Sequence, residues 1–348
     1  MKPSEARISQ AAAPIVLAAL VAAVLMACGS GDPTAPADVG GPLPPGVRVP
    51  LTDMGARTYL TFSGGLFSGG NTMPAAHAVA GAARTAAVAP RDSAGALSAS
   101  GRYVLLSIGM SNTTQEFSTF MPLAAADPAV DATRLSLADG AAGGRTASQW
   151  TSATSIEYDR IRDSVLGPRR LGERQVAAVW LKVANPGPTR GLPDSASDAY
   201  TLLAQMGQIL RALRIRYPNL QQVFVSSRIY AGYATTTLNP EPYAYESGFA
   251  VKWLIGAQIA QESGGGVDSR TGDLDYYGVA PWATWGPYLW ADGATARSDG
   301  LTWLLGDLAA DGTHPSTSGR AKVAAALLDF FKTSPHTSCW FLASQVCP

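Results

Sequence analysis

The chain has 348 residues, with 26 Lys and Arg against 26 Asp and Glu; 47% of its residues are hydrophobic and 15% charged. A formal net charge of zero, with no Lys/Arg run, argues against nucleic acid as the main partner, because phosphate binding needs clustered positive charge. The apolar content supplies a sizeable core, and the length between less regular ends suits one large domain or a domain with a cap.

Lys2 and Arg7 precede an almost unbroken apolar run from Ala11 to Met26. This is a secretory signal pattern, shorter than the roughly 20 residues of a membrane span. Its end, Leu25-Met26-Ala27-Cys28-Gly29, resembles a bacterial lipobox. That resemblance implies a lipoprotein signal peptide over 1–28, lipidation of Cys28 and membrane anchorage through the lipid. The address is then the bacterial cell envelope, at the outer membrane or cell surface, since Gly29 is not the retention residue Asp. Residues 29–50 are rich in Pro and Gly and read as a tether. Residues 51–100 read as an irregular arm, in which the alanine-rich stretch from Met73 to Val88 holds one short helix broken by Gly81.

From Gly101 strand and helix alternate. Strands are predicted at 103–109, 133–137, 175–183, 220–227 and 275–281, apolar on both faces as in a buried parallel sheet. Helices are predicted at about 151–165, 197–216, 244–263 and 316–333, the last capped by Ser316 or Thr317. Five strands alternating with helices give a three-layer α/β/α sandwich with a mainly parallel five-stranded sheet over 101–335. Residues 336–348 form a C-terminal loop. With Cys28 lipidated, Cys339 and Cys347 are an even pair, and export favours a disulfide between them. Their spacing, and a chain with only His77, His314 and His336, do not suit a structural zinc site.

The aromatic segment 276–303, which includes Trp282 and Trp285, runs into the turn Asp311-Gly312-Thr313-His314-Pro315. Beside a reactive turn such rings suit sugar stacking or an acyl pocket, and equally the closing of a core. His314 is a candidate general base, and Asp311, three residues earlier, can fix its tautomer. Ser111 ends the first apolar strand and opens a polar turn, where an open α/β sheet presents its chemistry. A serine nucleophile needs this base and orienter, and acyl transfer also needs donors for an oxyanion. Gly140 to Thr146, with Gly143 and Gly144, follows the second strand, and Asn185 follows the third. Gln115 and Glu116 either favour the helix dipole or face substrate. Arg228 either holds an acidic substrate group or pairs with Glu246.

Nucleophile, glycine, asparagine and Asp-x-x-His in this order resemble the SGNH (GDSL-like) hydrolase superfamily over about residues 101–333. The resemblance implies Ser111 as nucleophile, His314 as base and Asp311 as its orienter. It implies an oxyanion hole from the Ser111 and Gly144 amides and the Asn185 side chain. DGTHPSTSGRAKVA is the most specific block. Gly109-Met110-Ser111 replaces Gly-Asp-Ser, and Ala184-Asn185-Pro186 departs from Gly-x-Asn-Asp, which leaves the substrate class open.

The expected activity is ester hydrolysis, removing acetyl or other acyl groups from a small-molecule or polysaccharide ester outside the cytoplasm. Such acyl transfer calls for no metal or organic cofactor. Alternatives are a lipase or aryl esterase of the same fold and a non-catalytic glycan-binding surface lipoprotein.

Overall fold

The structure, a computed structural model, describes residues 40–347. Three short strands come first: β1 (Gly41–Pro42), β2 (Arg57–Tyr59) and β3 (Phe62–Ser63), followed by helix α1 (Ala75–Ala86). Strand β4 (Tyr103–Gly109) leads into α2 (Ser111–Ala126), and β5 (Leu135–Asp139) into α3 (Ile156–Arg160). Then come β6 (Val176–Lys182), α4 (Asp198–Arg216), β7 (Gln222–Val225), α5 (Tyr243–Glu262), β8 (Trp282–Trp285), α6 (Thr317–Thr333) and α7 (Ser338–Phe341).

Strands β4 to β8 form one sheet in the order β5-β4-β6-β7-β8, parallel throughout. Every residue of β4 and β6 is buried. Along β4, Val104, Leu106 and Ile108 enter one core cluster with α4 and α5, while Tyr103 and Leu105 enter another with α2 and α6. Side chains alternate across a strand, so an unbroken apolar run needs cover on both sides. The expected α/β/α sandwich is what the chain forms.

Several expectations need correction. The fifth strand is 282–285, not 275–281. The Asp275 carboxylate accepts the Tyr277 and Gly278 amides (3.0 and 3.1 Å), which closes a turn just where a strand was expected. The helix expected at 151–165 starts at Ile156, behind Ser155 as N-cap, and widens into a π-helical stretch over Ile161–Leu166. Gly81 does not break α1; a Cβ there would lie 2.4 Å from the Trp282 ring, so the glycine allows close packing at a cost of about 1 kcal/mol in helix propensity. Residues 40–50, assigned by composition to the tether, pair and pack: Leu43 N donates to Thr58 O (2.7 Å), Tyr245 Oη donates to Val49 O (2.7 Å), and Leu43 is buried.

The arm at 51–63 is held by α5. Tyr59 Oη donates to Glu246 Oε1 and Leu192 N to Glu246 Oε2, both at 3.0 Å. Burial lifts Glu246 to about 7, against the pull of these hydrogen bonds. Its folded pKa lies above the ordinary 4.5, so the stability it contributes is full below pH 4.5 and is lost as pH rises toward 7. Glu246→Gln is expected to flatten this part of the melting-temperature profile and to stabilise the fold at pH 8 by roughly 1–3 kcal/mol. Parallel wild-type and variant profiles between pH 4.5 and 8 would assign the effect elsewhere.

Candidate active site

Local packing sets the turn at Ser111. Strand β4 ends on Gly109, where a Cβ would meet Lys182 O at 2.2 Å and Thr113 Oγ1 at 2.3 Å. Met110 is extended, and Ser111 becomes the first residue of α2. Thr113 Oγ1 donates to Lys182 O at 2.7 Å, fixing the helix start to β6. Asn112 Nδ2 donates to Thr313 O at 3.0 Å, joining the helix that begins at Ser111 to the turn that carries His314.

That turn needs its glycine. Gly312 has φ +64°, and a Cβ would lie 1.9 Å from Tyr233 O. The turn is also held by Thr235 N, which donates to Asp311 O at 3.0 Å. Ser316 caps α6 beyond it.

These constraints bring Ser111 Oγ to 2.7 Å from His314 Nε2, across 203 residues of sequence. His314 Nδ1 faces Asp311 Oδ2 at 2.5 Å. The other Asp311 oxygen accepts the Thr313 and His314 amides, both at 3.0 Å. Burial would raise the Asp311 carboxyl, but the hydrogen bonds from His314 and Thr313 outweigh it and hold the group below its usual value. Asp311 is therefore an anion over the neutral pH range and can orient and support a protonated imidazole.

Ser111 and His314 line a cavity of about 260 Å³ together with Gly144, Asn185, Asn112, Asn239 and Arg228. Gly144 is exposed with φ +73°. Asn185 Nδ2 donates to Asp198 Oδ1 at 3.2 Å, and Asn239 Nδ2 donates to Asn185 O at 3.2 Å. Asp198 thus holds the Asn185 amide from behind; burial raises its carboxyl despite the amide hydrogen bonds from Asn185 and Asn239. Larger cavities of about 680 and 510 Å³ lie elsewhere and include none of these residues.

Not every candidate joins the site. Gln115 does not line the cavity. Glu116 faces away from it and pairs, fully buried, with Lys182 (2.5 and 2.6 Å). Trp282 and Trp285 are core residues: their indole N–H groups donate to His77 O and Leu66 O, and their rings pack on opposite sides of β8. Trp290 and Trp303 are buried too, so the four tryptophans of the segment are core residues, while Tyr277 is exposed. Arg228 does line the cavity but makes no ion pair with Glu246, whose oxygens serve Tyr59 and Leu192. Cys339 and Cys347 are disulfide-bonded. Cys28 lies outside the described residues, and no described helix is long and apolar enough to cross a membrane.

Sequence reasoning missed Asp198 and Asn239. Asp198 carries only the signal of an acidic first-turn residue. Asn239 has φ +60°, and an asparagine before proline reads as a turn. Neither signal points to Asn185.

Neither a family model nor a curated protein sequence matches the chain. Among solved structures it is similar to a protein from Parabacteroides merdae assigned as a GDSL-like lipase, at 11% identity and TM-score 0.34, covering 70% of this chain and 97% of that one. It is similar to a mutant acetyl-xylooligosaccharide esterase from Geobacillus at 17% identity and TM-score 0.36, covering 66% and 93%. An extracellular lipase from Streptomyces rimosus matches at 15% identity and TM-score 0.28, covering 65% and 98%.

Proposed function

We propose that the chain is a serine ester hydrolase of SGNH type. The observation that carries this reading is the continuous contact from Ser111 Oγ through His314 to Asp311, at 2.7 and 2.5 Å, on the wall of a cavity that Gly144 and Asn185 also line. In this reading Ser111 Oγ attacks the ester carbonyl carbon while its proton passes to His314 Nε2. The Ser111 and Gly144 amides and Asn185 receive the oxyanion. His314 returns the proton to the leaving alcohol. Water, deprotonated by His314, then attacks the acyl-enzyme and releases the acid.

The cavity, about 260 Å³, falls below the roughly 300–1,000 Å³ of sites for drug-sized ligands, which supports a short acyl group over a fatty chain. Removal of acetyl or similar groups from carbohydrate by an exported, Cys28-anchored enzyme is the finer reading. Its support is cavity size and the N-terminal sequence pattern, and no longer the tryptophans. An organophosphonate probe is expected to label Ser111, and p-nitrophenyl acetate and butyrate to turn over at least about 10-fold faster than the octanoate, since a cavity of this size offers a longer chain little further wall to bury against. Absence of labelling in the folded protein would remove the hydrolase reading. Preference for octanoate would remove the short-acyl reading alone.

A further inference from the structure

Arg228 is 1% exposed, and its Nε and Nη2 make no hydrogen bond among the described residues. Every described ion pair leaves it out. Glu116, the carboxylate that acts most strongly on it through space, spends both oxygens on Lys182. Glu241 takes the Trp290 indole and the Ala231 and Tyr245 amides. Removing an unpaired guanidinium from water costs several kcal/mol, and nothing in the protein's own hydrogen bonding offsets this.

The residue lies in the wall of the cavity that holds Ser111 and His314. No Asp or Glu lines that cavity; the remaining polar lining is Ser, Thr, Asn and the imidazole. Asn185 and Asn239 lean on Asp198, which is outside the lining. The reaction as written has no step for a fixed cation at this place. Glu116, Glu241 and Asp311 act on the guanidinium only through space, and its unpartnered Nε and Nη2 leave hydrogen bonds for an anion to complete.

We propose that Arg228 makes this site selective for esters that carry a carboxylate close to the scissile bond. The proposal rests on the ester-hydrolase reading and names its substrate class. The carboxylate can reside on the acyl part, as in the half-ester of a short dicarboxylic acid, or on the alcohol, as in an acetylated uronic acid. A guanidinium suits either, since its planar donors match carboxylate geometry and an ionic hydrogen bond gains strength in a water-poor cavity.

The test compares kcat/KM by pH-stat for monomethyl glutarate against methyl butyrate, and for an O-acetylated hexuronic acid against the O-acetylated parent hexose. Wild type is expected to favour the anionic member of one pair by about 10- to 100-fold. Which pair does so identifies the part that bears the charge. Arg228→Gln is expected to lower the anionic ester's kcat/KM at least about 10-fold more than the neutral ester's, and Arg228→Lys to recover part of that ratio. No preference in wild type for either pair overturns the proposal, whether or not the variants fold. An equal loss on both members of a pair assigns Arg228 a role in the chemistry common to all esters and overturns it as well. Should no ester turn over, binding by Ser111→Ala decides separately: calorimetric binding of monomethyl glutarate that Arg228→Gln abolishes keeps the anion site and discards the hydrolase, and no binding discards both.

Discussion

Ser111→Ala is expected to lower kcat for p-nitrophenyl acetate by about 10⁴- to 10⁶-fold, and His314→Ala by a similar factor. The reason is the geometry of one proton's path. Ser111 Oγ has a single basic atom at hydrogen-bond distance, His314 Nε2, at 2.7 Å. Without it the hydroxyl attacks with its proton still attached, and the alcohol leaves as an alkoxide. Without the hydroxyl, His314 has only water to activate. The two groups serve one step, so the double variant is expected to lose little more than either single one, far less than the product of two independent losses. Asp311→Asn is expected to cost up to about 10⁴-fold, because an amide in place of Oδ2 offers His314 Nδ1 a donor or a weaker acceptor and disturbs the tautomer. Single-turnover measurements at saturating ester check all four. A Ser111→Ala protein within 10-fold of wild type would place the nucleophile elsewhere.

Glu116→Leu is expected to be the most damaging single change to stability, at roughly 3–5 kcal/mol. Glu116 and Lys182 are both fully buried, one on α2 a turn beyond the nucleophile and the other at the end of β6. Burial raises the Glu116 carboxyl, although Lys182 and Arg228 pull it down; burial also brings Lys182 to about 8 against the attraction of Glu116. Each charge is tolerable only because the other is present. Removing Glu116 leaves two buried cations, Lys182 and Arg228, with no carboxylate between them. Lys182→Met leaves the carboxylate with Arg228 still in its field, so it is expected to cost less than Glu116→Leu. The double variant Glu116→Leu/Lys182→Met is expected to regain most of the loss, since apolar groups of similar size fill such a site well. Urea denaturation of the three proteins supplies the comparison; costs that simply add would mean the two residues do not act as a pair.

The sequence made some parts of the molecule legible and hid others for physical reasons. Strand β4 was readable to the residue, because both of its faces are buried and every position is apolar or small. The reactive turn was readable because Asp-x-x-His needs only local chain to bring its members together. Ser111 was found through its place at the end of a strand, and the sheet order then delivers it to His314. The tryptophans could be read either way, because position in sequence next to the Asp311–His314 turn says nothing about depth. Trp282 and Trp285 sit on β8, the sheet's far edge from β5, where their rings fill the core. The last strand was misplaced since Tyr276, Tyr277 and Val279 have the composition of a strand while Asp275 bends the chain. Residues 40–50 looked like linker by composition, yet proline-rich chain needs few backbone partners and can lie along α5. The role of Asp198 behind Asn185 was invisible, as it depends on the connection from β6 to α4 folding back on itself.

The hydrogen bond from Asn112 to Thr313, and the contact of Ser111 with His314, span 201 and 203 residues. Between them lie β5 to β8, each of which pairs with a non-local neighbour before α6 can dock beside α2. Loop closure over such lengths is slow, and parallel pairing defers its reward. The contact of Ser111 with His314 is therefore expected among the last that the folding chain makes. An incomplete chain, stopped anywhere before residue 311, carries the Ser111 hydroxyl without its imidazole partner, so on the proposed reading hydrolytic competence waits for the C-terminal part of the chain.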